Sequence, residues 1–263
     1  MTADIPPSGE PRGWVRTGRD GAVLTVTLDR PDQLNAQTPE TWSALADIGR
    51  ELDPDVRVVV VRGEGRAFSA GLDRSLFDPS PGVQGGLGEL GRVPADEAQE
   101  RIRGFQAGFR WLRSPRIVSV AAVQGHAIGA GAQLVLACDL RVFAEDAQLR
   151  LPETTLGLVP DLTGTSTLVE AVGYSRALEI CLTGRAVGAA EARAIGLATA
   201  VVPTAELQAA VGDLVSALLA PPVEASRATA ALLRSAVYND AAAQDAAERA
   251  AQVQRLRELV GGA

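Results

Sequence analysis

Residues 123–133 read Val-Gln-Gly-His-Ala-Ile-Gly-Ala-Gly-Ala-Gln, and the rest of this 263-residue chain is read outward from them. A β-branched apolar run, 117–123, leads in, and an apolar helix-forming run, 134–138, leads out. Glycines and alanines at the junction between a strand and a helix leave backbone N–H groups uncovered. Such groups form one half of an oxyanion hole, which stabilises a carbonyl oxygen as it gains negative charge. A second small-residue turn lies upstream, Ala67-Phe68-Ser69-Ala70-Gly71-Leu72-Asp73, placed to supply the other half. Downstream, residues 151–164 (Leu-Pro-Glu-Thr-Thr-Leu-Gly-Leu-Val-Pro-Asp-Leu-Thr-Gly) carry two carboxylates, Glu153 and Asp161.

Composition narrows the function. A net charge of −7 argues against nucleic acid or an anionic membrane as partner, since both need clustered basic residues. No apolar run approaches the roughly 20 residues needed to span a bilayer, and residues 1–12 lack a signal-peptide pattern and read as a disordered tail. All 25 basic residues are arginine, which excludes a Schiff-base lysine and a Walker-type phosphate loop. One histidine, His126, and no cysteine pair at ligand spacing leave no zinc site. Cys138 and Cys181 read as free thiols, consistent with a cytoplasmic protein.

Alternation around Asp20-Gly21 predicts a β-hairpin from residues 15–17 and 23–28. Thr38-Pro39 predicts a capped helix start running to about residue 52, before Asp53-Pro54. Residues 56–61 and 117–123 read as strands buried on both faces. Strands alternating with helices imply an α/β arrangement. Residues 78–94, rich in glycine and proline, read as a mobile loop placed to act as a lid. From about residue 204 the pattern is wholly helical: 204–219, 223–237 and 240–259.

Six segments in order and spacing carry a family likeness. They are Asp29-Arg30-Pro31 with Leu34-Asn35-Ala36; Phe68 to Asp73; Gly125 to Gly131; Ala137-Cys138-Asp139-Leu140-Arg141; Pro152-Glu153 with Leu156 to Pro160; and Leu182-Thr183-Gly184-Arg185 with Ala189 to Ala192 and Gly196-Leu197. From residue 15 to the C-terminus the chain resembles the enoyl-CoA hydratase/isomerase (crotonase) superfamily. The resemblance implies a spiral of repeated ββα units over 13–203, then a C-terminal helical part over 204–263 that covers the site and packs into trimers or dimers of trimers. It also implies an acyl-CoA thioester as substrate, with coenzyme A part of that substrate and no separate cofactor.

By the same resemblance, the oxyanion donors fall on the backbone N–H groups of Ala70 and Ala130. Coenzyme A lies against Gln33, Leu34 and Ala36 and against Gly71, Leu72 and Asp73. Hydratases of the family hold a water between two glutamates. The later one matches Glu153, but the earlier position is Gln133, which can orient a water or the acyl chain yet cannot move a proton at neutral pH. Asp161 stands where dienoyl-CoA isomerases carry a catalytic aspartate; it also precedes a helix that it could cap. The expected chemistry is therefore a double-bond shift through a thioester enolate, with Glu153 as acid and base and Asp161 assisting. Hydration, with Asp161 replacing the missing glutamate, is the alternative, and a non-catalytic acyl-CoA-binding protein the second alternative. If both carboxylates face one apolar pocket, their ionisations should be driven apart.

Overall fold

The computed structural model describes residues 12–80 and 83–261. The expected tail lies outside them except for Arg12, which bridges to Val15. The chain opens on the expected hairpin, β1 (Val15–Asp20) and β2 (Val23–Leu28), paired antiparallel with Gly21 at φ +53° in the turn. Helix α1 (Pro39–Arg50) starts where Thr38 and Thr41 form a reciprocal capping box, a feature contributing about 1 kcal/mol. Strand β3 (Val58–Gly63) follows, then the short helix α2 (Leu87–Leu90) and the long helix α3 (Ala95–Arg110). Residues 78–94 are thus partly structured: Arg101 of α3 holds Glu89 of α2 in an ion pair at 2.8 Å.

The second half repeats one unit. Strand β4 (Val118–Val123), strand β5 (His126–Ile128) and helix α4 (Ala130–Ala137) form one turn. Strand β6 (Leu140–Ala144), strand β7 (Gln148–Arg150) and helices α5 (Gly164–Val172) and α6 (Tyr174–Thr183) form the next. Strand β8 (Ala186–Gly188), helix α7 (Ala189–Ala194) and strand β9 (Ala200–Val202) close the spiral. Each turn gives one strand to a six-stranded sheet, β1-β2-β3-β4-β6-β9, and one to a three-stranded sheet, β5-β7-β8. Beyond the hairpin, the large sheet is parallel throughout, as ββα crossovers require.

The valine run of β3 is buried on both faces because different helices cover each. Val59 and Val61 face a core with Trp42 of α1 and Phe109 of α3. Val58 and Val60 face Leu207, Val211 and Val215 of α8 (Leu207–Leu219). Helix α8 is therefore part of the sheet's core, so the helical region expected from residue 204 does not separate cleanly from the spiral. Helices α9 (Val223–Ser235) and α10 (Ala241–Leu259) differ, as neither contains a buried residue. Arg234 ties α9 to the body through Asp139, at 2.8 and 2.9 Å. No helix among the described residues is long and apolar enough to cross a membrane.

Candidate active site

The two small-residue turns meet at the edge of the small sheet. Ser69 bridges in parallel to Ala127 of β5 and so adds a further rung beside that strand. The approach is too close for side chains. A Cβ on Gly131 would lie 2.6 Å from the Ser69 oxygen, and one on Gly71 would lie 2.4 Å from the Ile128 oxygen. Gly71 also has φ +87°, a conformation that glycine adopts without steric penalty. Four small residues thus allow the turns to touch.

Alternation of the backbone through residues 69–73 decides which N–H groups remain available. Ser69 spends both backbone groups on β5: its N–H donates to the His126 oxygen and its carbonyl accepts from the Ile128 N–H, each at 2.9 Å. Ala70 faces the other way and donates its N–H to the Leu34 oxygen at 2.8 Å. The Gly71 N–H donates to the Ser69 Oγ at 3.1 Å. Gln37 then takes the Gly71 oxygen with its N–H and the Asp73 N–H with its oxygen, at 2.7 and 2.9 Å. In such a parallel bridge the residue between the two bonded ones turns its own N–H to the opposite side. That residue is Leu72, whose N–H donates to no described residue.

The expected donor Ala70 is corrected on this ground: its N–H is committed to Leu34, and the available N–H of the turn belongs to Leu72, two residues on. Ala130 lies at the first position of α4, where a helix leaves N–H groups without intrahelical acceptors. Its N–H also donates to no described residue. Motif reading missed Leu72 as a donor, because pairing with Leu34 and Gln37, and not the motif itself, decides which N–H of the turn is left over.

Behind the turn lies a buried polar chain. The Trp42 Nε1–H donates to Gln37 Oε1 at 2.8 Å, and Gln37 Nε2–H donates to Ser69 Oγ at 3.0 Å. The Ser69 hydroxyl donates in turn to the Asn35 oxygen at 2.7 Å. The segments expected to touch coenzyme A, Gln33, Leu34 and Ala36 on one side and Gly71, Leu72 and Asp73 on the other, are brought side by side by these bonds. Asp73 is held below the usual carboxylate range, first by the Ser75 N–H and then by the Ser75 hydroxyl and Arg30. Arg30 is thus paired, and its guanidinium lies 5.2 Å from the centre of the Trp14 ring.

Glu153 opens a short 3-10 turn, Glu153–Leu156, and is only 9% exposed. Its Oε1 accepts from Gln133 Nε2 at 2.9 Å, whereas its buried Oε2 has no partner among the described residues. A Cβ on Gly129 would lie 3.7 Å from Glu153 Oε1, which puts the carboxyl beside the start of α4. Gln133 itself is 1% exposed, and its Oε1 accepts from the Leu162 N–H at 2.7 Å and the Gly164 N–H at 3.4 Å. The expected role of orienting substrate is therefore corrected. Both ends of the Gln133 amide bind protein groups, and its work is to hold Glu153 and the 161–164 turn together.

Asp161 does not cap α5. The helix begins after Thr163, which has φ +71° and makes no side-chain capping bond, and Leu162 is buried at the turn. Burial raises the Asp161 ionisation above the ordinary aspartate range, with its own backbone N–H opposing in part. Burial also raises that of Glu153; its own N–H and Gln133 oppose the shift, and the Asp161 charge adds to it. The Asp161 charge is thus close enough to disfavour ionisation of Glu153. Burial, and then Glu153, raise the thiol of Cys181, which places that side chain near Glu153. His126 is exposed, with its backbone in the sheet.

Two N–H groups with no acceptor among the described residues, two largely buried carboxyls and a wall of small residues have the chemistry to form and hold a thioester enolate. Comparison with known proteins gives the family. The profile described as Enoyl-CoA hydratase/isomerase matches residues 18–260. A crystal structure from Thermobifida fusca YX, of a protein named as an enoyl-CoA hydratase and in complex with acetoacetyl-CoA, is 48% identical with a TM-score of 0.89. That match covers 94% of this chain and 96% of that one. The protein named enoyl-CoA hydratase echA8 in Mycobacterium tuberculosis is 34% identical over 191 residues, 72% of this chain and 68% of that protein. A peroxisomal Delta(3,5)-Delta(2,4)-dienoyl-CoA isomerase of Arabidopsis thaliana is 31% identical over 189 residues, 71% of this chain and 68% of that protein. The chain belongs to the enoyl-CoA hydratase/isomerase family, enzymes that act on acyl-CoA thioesters, and it has their crotonase fold.

Proposed function

We propose that this enzyme shifts a double bond in an enoyl- or dienoyl-CoA by proton transfer through a thioester dienolate. One observation carries the reading: Gln133 bonds Glu153 directly, where a hydratase needs a second carboxylate with a water held between the two. Oε1 of Glu153 is fixed by that bond, which leaves Oε2 as the working atom. Oε2 removes a proton from one carbon of the acyl chain, and the electron pair moves into the thioester carbonyl. The Leu72 and Ala130 N–H groups stabilise the resulting oxygen charge, together by several kcal/mol. The protonated Glu153 then returns its proton to the carbon at the far end of the dienolate. Asp161 assists by keeping one proton in the pair. Electrons balance, and no co-reactant is consumed.

The coenzyme A moiety lies along the paired segments 33–37 and 70–73. The exposed apolar residues of α9 and α10 support assembly into trimers or dimers of trimers, and the two free thiols suit a reducing, cytoplasmic setting.

The test is deuterium uptake from heavy water into 2-enoyl, 3-enoyl and 3,5-dienoyl thioesters. Uptake with a moved double bond, lost in Glu153→Gln, is the expected result. The absence of exchange from every thioester that binds sinks the mechanism. Hydration is the second reading, favoured by the names most relatives bear; water added without a shifted bond would establish it.

A further inference from the structure

Helix α3 reaches the site by one side chain. Gln106 donates from Nε2 to the backbone oxygen of Asp161 at 2.7 Å, across 55 residues of sequence. The helix that carries it is rigidly seated. Phe109, one turn on from Phe105, is fully buried, and the Phe105 ring lies 4.9 Å from the Trp42 ring. At Gly108 the α3 backbone comes so close to α1 that a Cβ would lie 2.5 Å from the Trp42 oxygen. Gln106 therefore projects from a fixed platform.

The opposite side of the same turn is held by Gln133, through the N–H groups of Leu162 and Gly164. Residues 161–164 need such support. They run between an exposed Val159 and a helix start with no side-chain cap, and Thr163 has φ +71°, which is strained for a residue with a branched Cβ. The Asp161 carboxyl has no side-chain partner among the described residues, and its own backbone N–H is the group that bonds it, so its direction is set by its backbone. That backbone is held in two places, one carbonyl and one N–H away, by two amides on two different helices.

We propose that Gln106 is a positioning residue for Asp161: by holding its carbonyl, it keeps the carboxyl against Glu153 during proton transfer. The proposal rests on the reading of Asp161 as the assisting acid–base group. A group displaced by about 1 Å can lose up to roughly a hundredfold in rate; loss of one of two anchors should cost about tenfold.

The experiment measures steady-state turnover and deuterium exchange for wild type, Gln106→Leu, Gln106→Glu, Asp161→Asn and each Gln106 variant combined with Asp161→Asn. Gln106→Glu has nearly the size of glutamine, offers no donor at neutral pH, and serves if the leucine variant does not fold. The expected result is a kcat about tenfold lower with KM unchanged within about twofold, and less than about twofold further loss when Asp161 is already asparagine. Full activity in both Gln106 variants, beside an impaired Asp161→Asn, overturns the positioning role and leaves Asp161 standing. An equal loss in the Asp161→Asn background, or a loss confined to KM, also overturns it, because Gln106 would then act elsewhere. Wild-type turnover in Asp161→Asn removes the reading of Asp161 itself, and the proposal with it.

Discussion

Glu153 is buried, partnered on one oxygen only, and pushed toward its neutral form by burial and by Asp161. That arrangement has a stability consequence of definite sign. A carboxyl whose ionisation is raised by folding costs stability once pH exceeds its unfolded value, and the cost grows until pH passes its folded value. Glu153→Gln should therefore be more stable than wild type at pH 7, by about 1 kcal/mol. The gain should shrink toward zero as pH falls to about 3, where both states of the wild-type carboxyl are protonated. Thermal unfolding across that range checks it, and a gain that grows in acid would contradict the burial argument. The same substitution should lower turnover by about a thousandfold. Gln133→Glu tests the chemistry in the other direction. It keeps an oxygen for the Leu162 and Gly164 N–H groups but replaces the donor to Glu153 with a second carboxylate. Water addition to a 2-enoyl thioester should rise at least about tenfold while bond migration falls, as two carboxylates sharing a proton become an acid and a base. Product analysis by mass spectrometry distinguishes the two. No gain in hydration would mean that residue 133 does not select the reaction.

Among elements, the turn 69–73 works because its hydrogen bonds are assigned before substrate arrives. Ser69 Oγ accepts from Gln37 and from the Gly71 N–H while donating to the Asn35 oxygen, so three groups converge on one hydroxyl. Ser69→Ala leaves those groups unpaired in a site fully shut from solvent, at a cost of about 1–3 kcal/mol. Because the Leu72 N–H lies three residues beyond that anchor, kcat should fall about tenfold with coenzyme A affinity little changed. A lowered melting temperature with unaltered kcat would show that the hydroxyl supports only the fold. The same turn marks where sequence reading ran short. The motifs pointed to both turns, Glu153 and Asp161, because short runs of consecutive residues are local properties of the chain. They gave the first donor as Ala70 because a motif carries no register. The direction of an N–H depends on which neighbours pair with it, and the 34–37 segment and β5 reach residues 69–73 from two separate parts of the chain. Gln106 was invisible for the same reason: nothing local distinguishes a glutamine that meets Asp161 from one in solvent.

At the scale of the whole molecule, the buried strands and the first helix were legible from valine-rich runs and a capped start, and the spiral from the family resemblance alone, whereas the boundary at residue 204 was not. Helix α8 reads as a terminal helix by periodicity, yet Leu207, Val211 and Val215 complete the outer core of the large sheet. Helices α9 and α10 are what remain outside. Helix α10 has 19 residues, none of them buried, and Val253, Leu256 and Leu259 stand exposed along it, as do Leu233 on α9 and Val237 just beyond its end. Tertiary packing supplies most of a helix's stability in water, so two helices with apolar side chains and no core of their own need a further surface. If that surface belongs to other copies of the chain, sedimentation should give three or six times the 27.3 kDa of one chain. Leu233→Asp with Leu256→Asp would bury unpaired charges at the contact and should shift the mass to a single chain. The spiral core, including α8, should stay folded, because neither residue contributes to it. A monomer in the unsubstituted protein would leave these helices to serve the site itself, and their substitution would then alter KM for the thioester without changing mass.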